Sequence, residues 1–189
     1  MRLLGLTFLT LCLAGCALEA PPPSTGFLPQ DAFGNTVVGQ DPAMATFNAA
    51  LEAFAHPGMM QNRPAQMALA VASLDAMAGQ FSTSGRWMAM DPLAKEEMLQ
   101  ARQRVRAILG ISESAPSQAV IDQLVQASKA LDAGDQAAAL AALSGGVFTA
   151  PAPQTLALLT HFPNVPLANY ATMDASRTLY APDGNPTFR

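Results

Sequence analysis

The 189-residue chain is 50% hydrophobic but only 6% aromatic and 13% charged, with a formal net charge of −4. That length suits one domain with an adequate apolar interior, without help from disulfides or metals. A mildly acidic balance gives no electrostatic reason to seek nucleic acid or anionic lipid, and an alanine-rich, aromatic-poor interior favours close helix packing over sheets.

Met1-Arg2 supplies one positive charge, and Leu3 to Leu13, LLGLTFLTLCL, is an apolar run broken only by Gly and Thr. A short basic start before such a run reads as a secretory signal. It falls short of the roughly 20 apolar residues needed to span a bilayer. The segment Leu13-Ala14-Gly15-Cys16, LAGC, resembles the lipobox of bacterial lipoproteins, a likeness confined to the first 16 residues. The resemblance implies cleavage before Cys16, a diacylglyceryl group on its thiol and acylation of the new amine. Several acyl chains hold a protein stably at a membrane where one does not. Ordinary signal-peptidase cleavage after Ala17 is the competing reading. On the lipobox reading, residues 1–15 are discarded with Cys12, and Cys16 is consumed by lipid. The mature chain then has no thiol for a disulfide, a zinc site or a nucleophile. Loss of Arg2 makes the formal charge −5. Ala17, standing where some inner-membrane-retained lipoproteins carry Asp, favours the outer membrane.

Residues 16–40 read as a lipidated N-terminus and a flexible Pro/Gly-rich tether, with Pro21-Pro22-Pro23 as an extended stem and NTVV as a short extended piece. Removing Ala17 to Thr25 is therefore expected to leave stability unaltered. A helical domain follows over 41–181. Asp41-Pro42 is a cap followed by Pro at the first helical position. Met44, Phe47, Leu51 and Phe54 form one stripe, and His56-Pro57-Gly58 stops it. A second helix is expected after QNRP with Asn62 as its cap, burying Met67, Val71, Leu74, Ala78 and Phe81. A third opens at Asp91-Pro92 and runs on Ala94, Met98, Ala101, Val105 and Ile108 to a Gly110 stop. A fourth starts near Pro116 and buries Val120, Ile121, Leu124, Val125, Ser128 and Leu131. Short helices are expected over 136–143, 153–162 and 166–180, and 182–189 reads as a polar tail. The fold class is all-α, with six or seven helices packed as an irregular bundle of antiparallel hairpins. Ser128 to Leu143 resembles one tetratricopeptide-repeat joint through Ala130, Gly134, Asp135 and Ala138. That likeness implies a peptide- or protein-binding scaffold. No second copy follows at a 34-residue offset, whereas stacked repeats need about three units.

Candidate chemistry is sparse. His56 and His161 both sit near helix ends, where a histidine more often caps or complements the dipole than acts as a base. Ser82 and Ser84 lack a nucleophile-elbow frame. Glu96 and Glu97 are adjacent, so on a helix they point about 100° apart; Glu52 with Asp75 is a more distant carboxylate pair that glycan chemistry would need brought together. Met59, Met60, Met88, Met90 and Met98 cluster loosely, offering core filling, a binding groove with WMAM beside Arg86 as an amphipathic contact patch, or soft copper ligation. Arg102 and Arg106 share a face at i, i+4, while Arg104 lies elsewhere; the three read as a solvated basic surface or as a phosphate or lipid-headgroup contact. No residue is assigned as catalytic, cofactor-binding or metal-ligating, and no cofactor is implied; the only assigned site is lipid attachment at Cys16. The expectation is a membrane-anchored cell-envelope lipoprotein with a periplasmic domain, structural or adaptor-like, engaging an envelope protein and no nucleic acid. The alternatives are a murein- or glycan-acting enzyme using a carboxylate pair, and methionine-based copper binding.

Overall fold

A computed structural model describes residues 23–34 and 39–180. Cys16 and the leader, the NTVV segment and the polar tail lie outside these residues. The described part is all-α: α1 (Pro42–Ala55), α2 (Pro64–Thr83), α3 (Pro92–Leu109), α4 (Ser117–Asp132), α5 (Gln136–Ala142), α6 (Ala152–Thr160) and α7 (Pro166–Tyr180). Short 3-10 turns lie at Pro57–Met60 and Gly85–Trp87. Extended pairing among the described residues is a single antiparallel bridge between Ile111 and Phe148.

The organising element is α2. Its sequence is apolar or small on nearly every side, and such a helix must be surrounded rather than half-exposed. It is buried almost continuously from Ala65 to Phe81 and packs against α1, α3, α4 and α6. Ala68, Ala72, Ala76 and Ala78 are all fully buried along it, so neighbouring backbones can approach closely. Helix α7 does the same on a smaller scale, laying Ala168, Ala171 and Ala175 against α1 and α3. Near the C-terminal end of α2, Phe81 meets Phe47 at 5.6 Å and Trp87 at 5.1 Å between ring centroids, while Phe54 meets Phe162 at 6.2 Å.

Caps follow the local chemistry. Asp41 accepts hydrogen bonds from the Ala43 and Met44 amides at the start of α1, and Asp91 accepts from Leu93 at the start of α3. Gly110 takes φ +66° to end α3, a left-handed position that suits glycine. The expected Asn62 cap is corrected: the N-cap position of α2 is Arg63, without a side-chain bond. Asn62 instead turns left-handed, φ 60°, and donates its amide to Thr160. The α4–α5 turn uses Gly134 at φ 74°, and Asp135 caps α5 through the Ala138 amide.

The Asp41 carboxylate also pairs with Arg86. Its pKa is lowered, first by the Arg86 hydrogen bond and against a smaller opposing effect of burial. Asp41→Ala should cost about 1 kcal/mol, as loss of an N-cap does. A depressed folded-state pKa stabilises above the unfolded value and is lost as pH falls through the folded value. Urea titrations of wild type and variant should therefore differ at neutral pH and converge below the ordinary Asp range near about 3.9. A gap that persists undiminished there would contradict the assignment.

The segment read as a tether is the largest departure from expectation. From Ser24 to Leu28 it lies on the helices, with Gly26 buried and Leu28 half-buried against the core. The folded unit therefore begins before Asp41.

Candidate functional site

Asp75 sits in the middle of α2 with its side chain only 2% exposed. A carboxylate there needs a partner, because an unpaired buried charge is strongly unfavourable. Arg106 on α3 supplies it in fork geometry: Nε donates to Oδ2 at 2.6 Å and Nη2 to Oδ1 at 2.8 Å. The remaining guanidinium protons go to the Glu113 and Ala115 carbonyls, at 3.2 and 2.9 Å, and to Ser117 Oγ at 3.1 Å. Guanidinium has five N–H donors, so Arg106 is saturated.

One helical turn earlier, Arg102 Nη1 donates to the Ser24 carbonyl at 2.7 Å and to Ser117 Oγ at 3.2 Å. Ser117 Oγ in turn donates to the Ser24 carbonyl at 3.1 Å, and the Ser117 amide donates to Ser24 Oγ at 2.9 Å. The Ser117 hydroxyl thus uses its proton and both lone pairs. Burial depresses the Arg102 pKa, with the Asp75 charge opposing that shift and Arg106 adding to it. The solvated basic face expected for Arg102 and Arg106 is corrected here. These side chains point inward, and Arg106 has no N–H left for a phosphate.

Residues beyond Ser24 are held by backbone-directed side chains. Gln80 Nε2 donates to the Gly26 carbonyl at 2.9 Å. Gln118 accepts from the Phe27 amide at 2.9 Å and returns a bond to the Phe27 carbonyl at 3.1 Å. Two glycines allow the approach: a Cβ on Gly79 would lie 2.6 Å from the Ser24 carbonyl oxygen, and one on Gly26 2.7 Å from Ile121 Cδ1. The segment is therefore a strap wedged between α2 and α4. Its arrangement holds a backbone in place and leaves no proton in transit.

Where the strap reaches the start of α1, a cleft of about 310 Å³ opens, lined by Phe27, Leu28, Pro42, Thr46, Arg86 and Trp87 among others. The Arg86 guanidinium lies 4.5 Å over the Trp87 ring while its nitrogens hold Asp41, one at 3.1 Å. Phe27 itself is 61% exposed.

A second surface lies on α7. Opposite its buried alanines, Tyr170, Met173, Arg177 and Tyr180 recur at spacings of 3, 4 and 3, and all are exposed. Tyr180 is pinned through its hydroxyl to Asn48 of α1 at 2.6 Å, and Arg177 lies 3.5 Å from Asp174.

The remaining candidates disperse. His56 and His161 are exposed residues closing α1 and α6. Ser82 Oγ is turned to the Ala78 carbonyl within its own helix, and Ser84 closes α2. Glu96 accepts from Gln100, while Glu52 is exposed and Asp75 belongs to Arg106, so the Glu52–Asp75 pairing does not form. Met60, Met90 and Met98 are buried in the core, whereas Met59 and Met88 face outward. Among the described residues no group of three His, Cys, Asp or Glu side chains is placed to hold a metal.

No family model matches this chain, and neither the curated proteins nor the solved structures contain a match to it.

Proposed function

We propose that this protein is a lipid-anchored adaptor of the bacterial cell envelope: Cys16 carries the acyl groups, and the helical domain holds a partner protein near the membrane. The exposed face of α7 carries the adaptor half of this reading. Both tyrosines of the chain, Tyr170 and Tyr180, fall on it with Met173 and Arg177. Tyr, Met and Arg are the side chains enriched where proteins bury surface against one another. The opposite face of α7 is locked to α1 and α3, so the stripe is presented on a rigid element. The lipobox resemblance carries the anchor half, and no helix among the described residues is long and apolar enough to cross a membrane in its place.

A photo-crosslinking residue at Tyr170, activated in intact envelopes, should yield one defined protein adduct. Recovery of murein alone would overturn the adaptor reading and move weight to a glycan-acting enzyme. Cys16→Ser should abolish acyl labelling and release the domain from membranes; undiminished membrane retention would sink the anchor.

A further inference from the structure

The Ser24 clasp changes how far the domain can stand from an anchor at Cys16. Were the chain free to Gln40, 24 residue steps would allow a reach of roughly 80 Å. Because Ser24 is fixed to Arg102 and Ser117, only eight steps remain, a contour of at most roughly 29 Å. A domain of this length is roughly 40 Å across. A tether shorter than the body it holds keeps the edge at which the strap leaves the helices within roughly 29 Å of the bilayer and excludes orientations that turn that edge directly away from it.

Phe27 lies three positions beyond Ser24 on that edge, held by Gln118 through its backbone so that its ring is left 61% exposed. Leu28 and Trp87 line the cleft beside it. An exposed Phe ring buries its apolar area at the boundary between headgroups and acyl chains, and that area adds to an acyl anchor. We propose that the edge carrying Ser24 and Phe27 rests on the lipid surface, with Phe27 seated among the headgroups. This rests on acylation of Cys16.

The test uses full-length acylated protein in vesicles of phosphatidylcholine and phosphatidylglycerol, with Phe27→Trp as the probe. Wild type, whose single tryptophan is Trp87, sets the baseline. Brominated phosphatidylcholine should quench most of the emission that Phe27→Trp adds, and that emission should shift to the blue on reconstitution. A Gly/Ser insertion of 20 residues after Cys16 should weaken the quenching at least two-fold. Circular dichroism checks that each variant keeps wild-type helix content, and mass spectrometry of the N-terminal peptide reports acylation. Acylated protein whose added emission is unquenched would overturn the orientation while leaving the anchor intact. Emission that shifts blue with protein concentration, without bromolipid quenching, would assign Phe27 to a protein contact and overturn it too. An unmodified Cys16 would remove the anchor reading on which the proposal stands.

Discussion

Asp75→Ala should destabilise the domain by about 3–5 kcal/mol, because it leaves the Arg106 guanidinium buried without its counter-charge. For a chain of this size that corresponds to a fall in Tm of roughly 10 °C or more. Arg102 makes the loss harder to absorb. Two guanidinium groups share this interior with Asp75, and burial already disfavours the charge on Arg102. Urea denaturation should show a lower midpoint with an unchanged slope. The double variant Asp75→Leu, Arg106→Met separates pairing from packing. Replacing both members of a buried pair is often nearly neutral, so the double variant should lose less than Asp75→Ala alone. If it loses as much or more, packing around α2 and the bonds from Arg106 to Glu113, Ala115 and Ser117 dominate instead.

Deleting Ala17 to Thr25 should cost about 3–5 kcal/mol, the reverse of what a flexible tether predicts. The deletion removes the Ser24 carbonyl from Arg102 Nη1 and from Ser117 Oγ, and removes Ser24 Oγ from the Ser117 amide. A lost bond to a charged donor is worth about 1.5–3 kcal/mol and a neutral one about 1. Gly79→Ala offers an independent route to the same state. Its Cβ would meet backbone of Ser24 and Thr25, which cannot swing aside as a flexible side chain would. In that variant the Ser117 and Phe27 amides should exchange with solvent faster than in wild type. Unchanged stability in the deletion and unchanged exchange in Gly79→Ala would together return the segment to a dispensable tether.

Much of the helical frame is readable in the chain. The Asp-Pro pairs at Asp41 and Asp91 mark the starts of α1 and α3, and Gly110 marks the end of α3, because capping is settled by atoms within one turn. The buried stripe of α4, all but Leu131, follows from apolar spacing for a similar reason, whereas on α1 Phe47 and Phe54 are buried and Met44 and Leu51 only half-buried. Asn62 fails as a cap because its amide bonds to Thr160, nearly a hundred residues away in sequence.

The clasp was only half legible. A lone Asp75 among the alanines, methionines and leucines of α2 signals a buried carboxylate needing a cation. Arg102 and Arg106 flank Val105 on the inner side of α3, and the stripe Met98, Arg102, Val105, Leu109 is as regular as the apolar one beside it. Read by residue type, the two arginines look solvated; read by helical phase, they face inward. Neither reading points to Ser24, since a serine in a Pro/Gly-rich stretch carries no periodicity.

What the sequence determined by itself are the properties that depend on neighbours along the chain. These are the helices, the Asp-Pro starts of α1 and α3, the Gly110 stop and the all-α class they build. Tertiary structure alone decided which cation meets Asp75, that the strap from Ser24 to Leu28 is part of the fold, and that α7 turns its two tyrosines outward. Each depends on groups brought together from distant positions. Burial there selects partners by charge and hydrogen-bond capacity, which spacing along the chain does not encode.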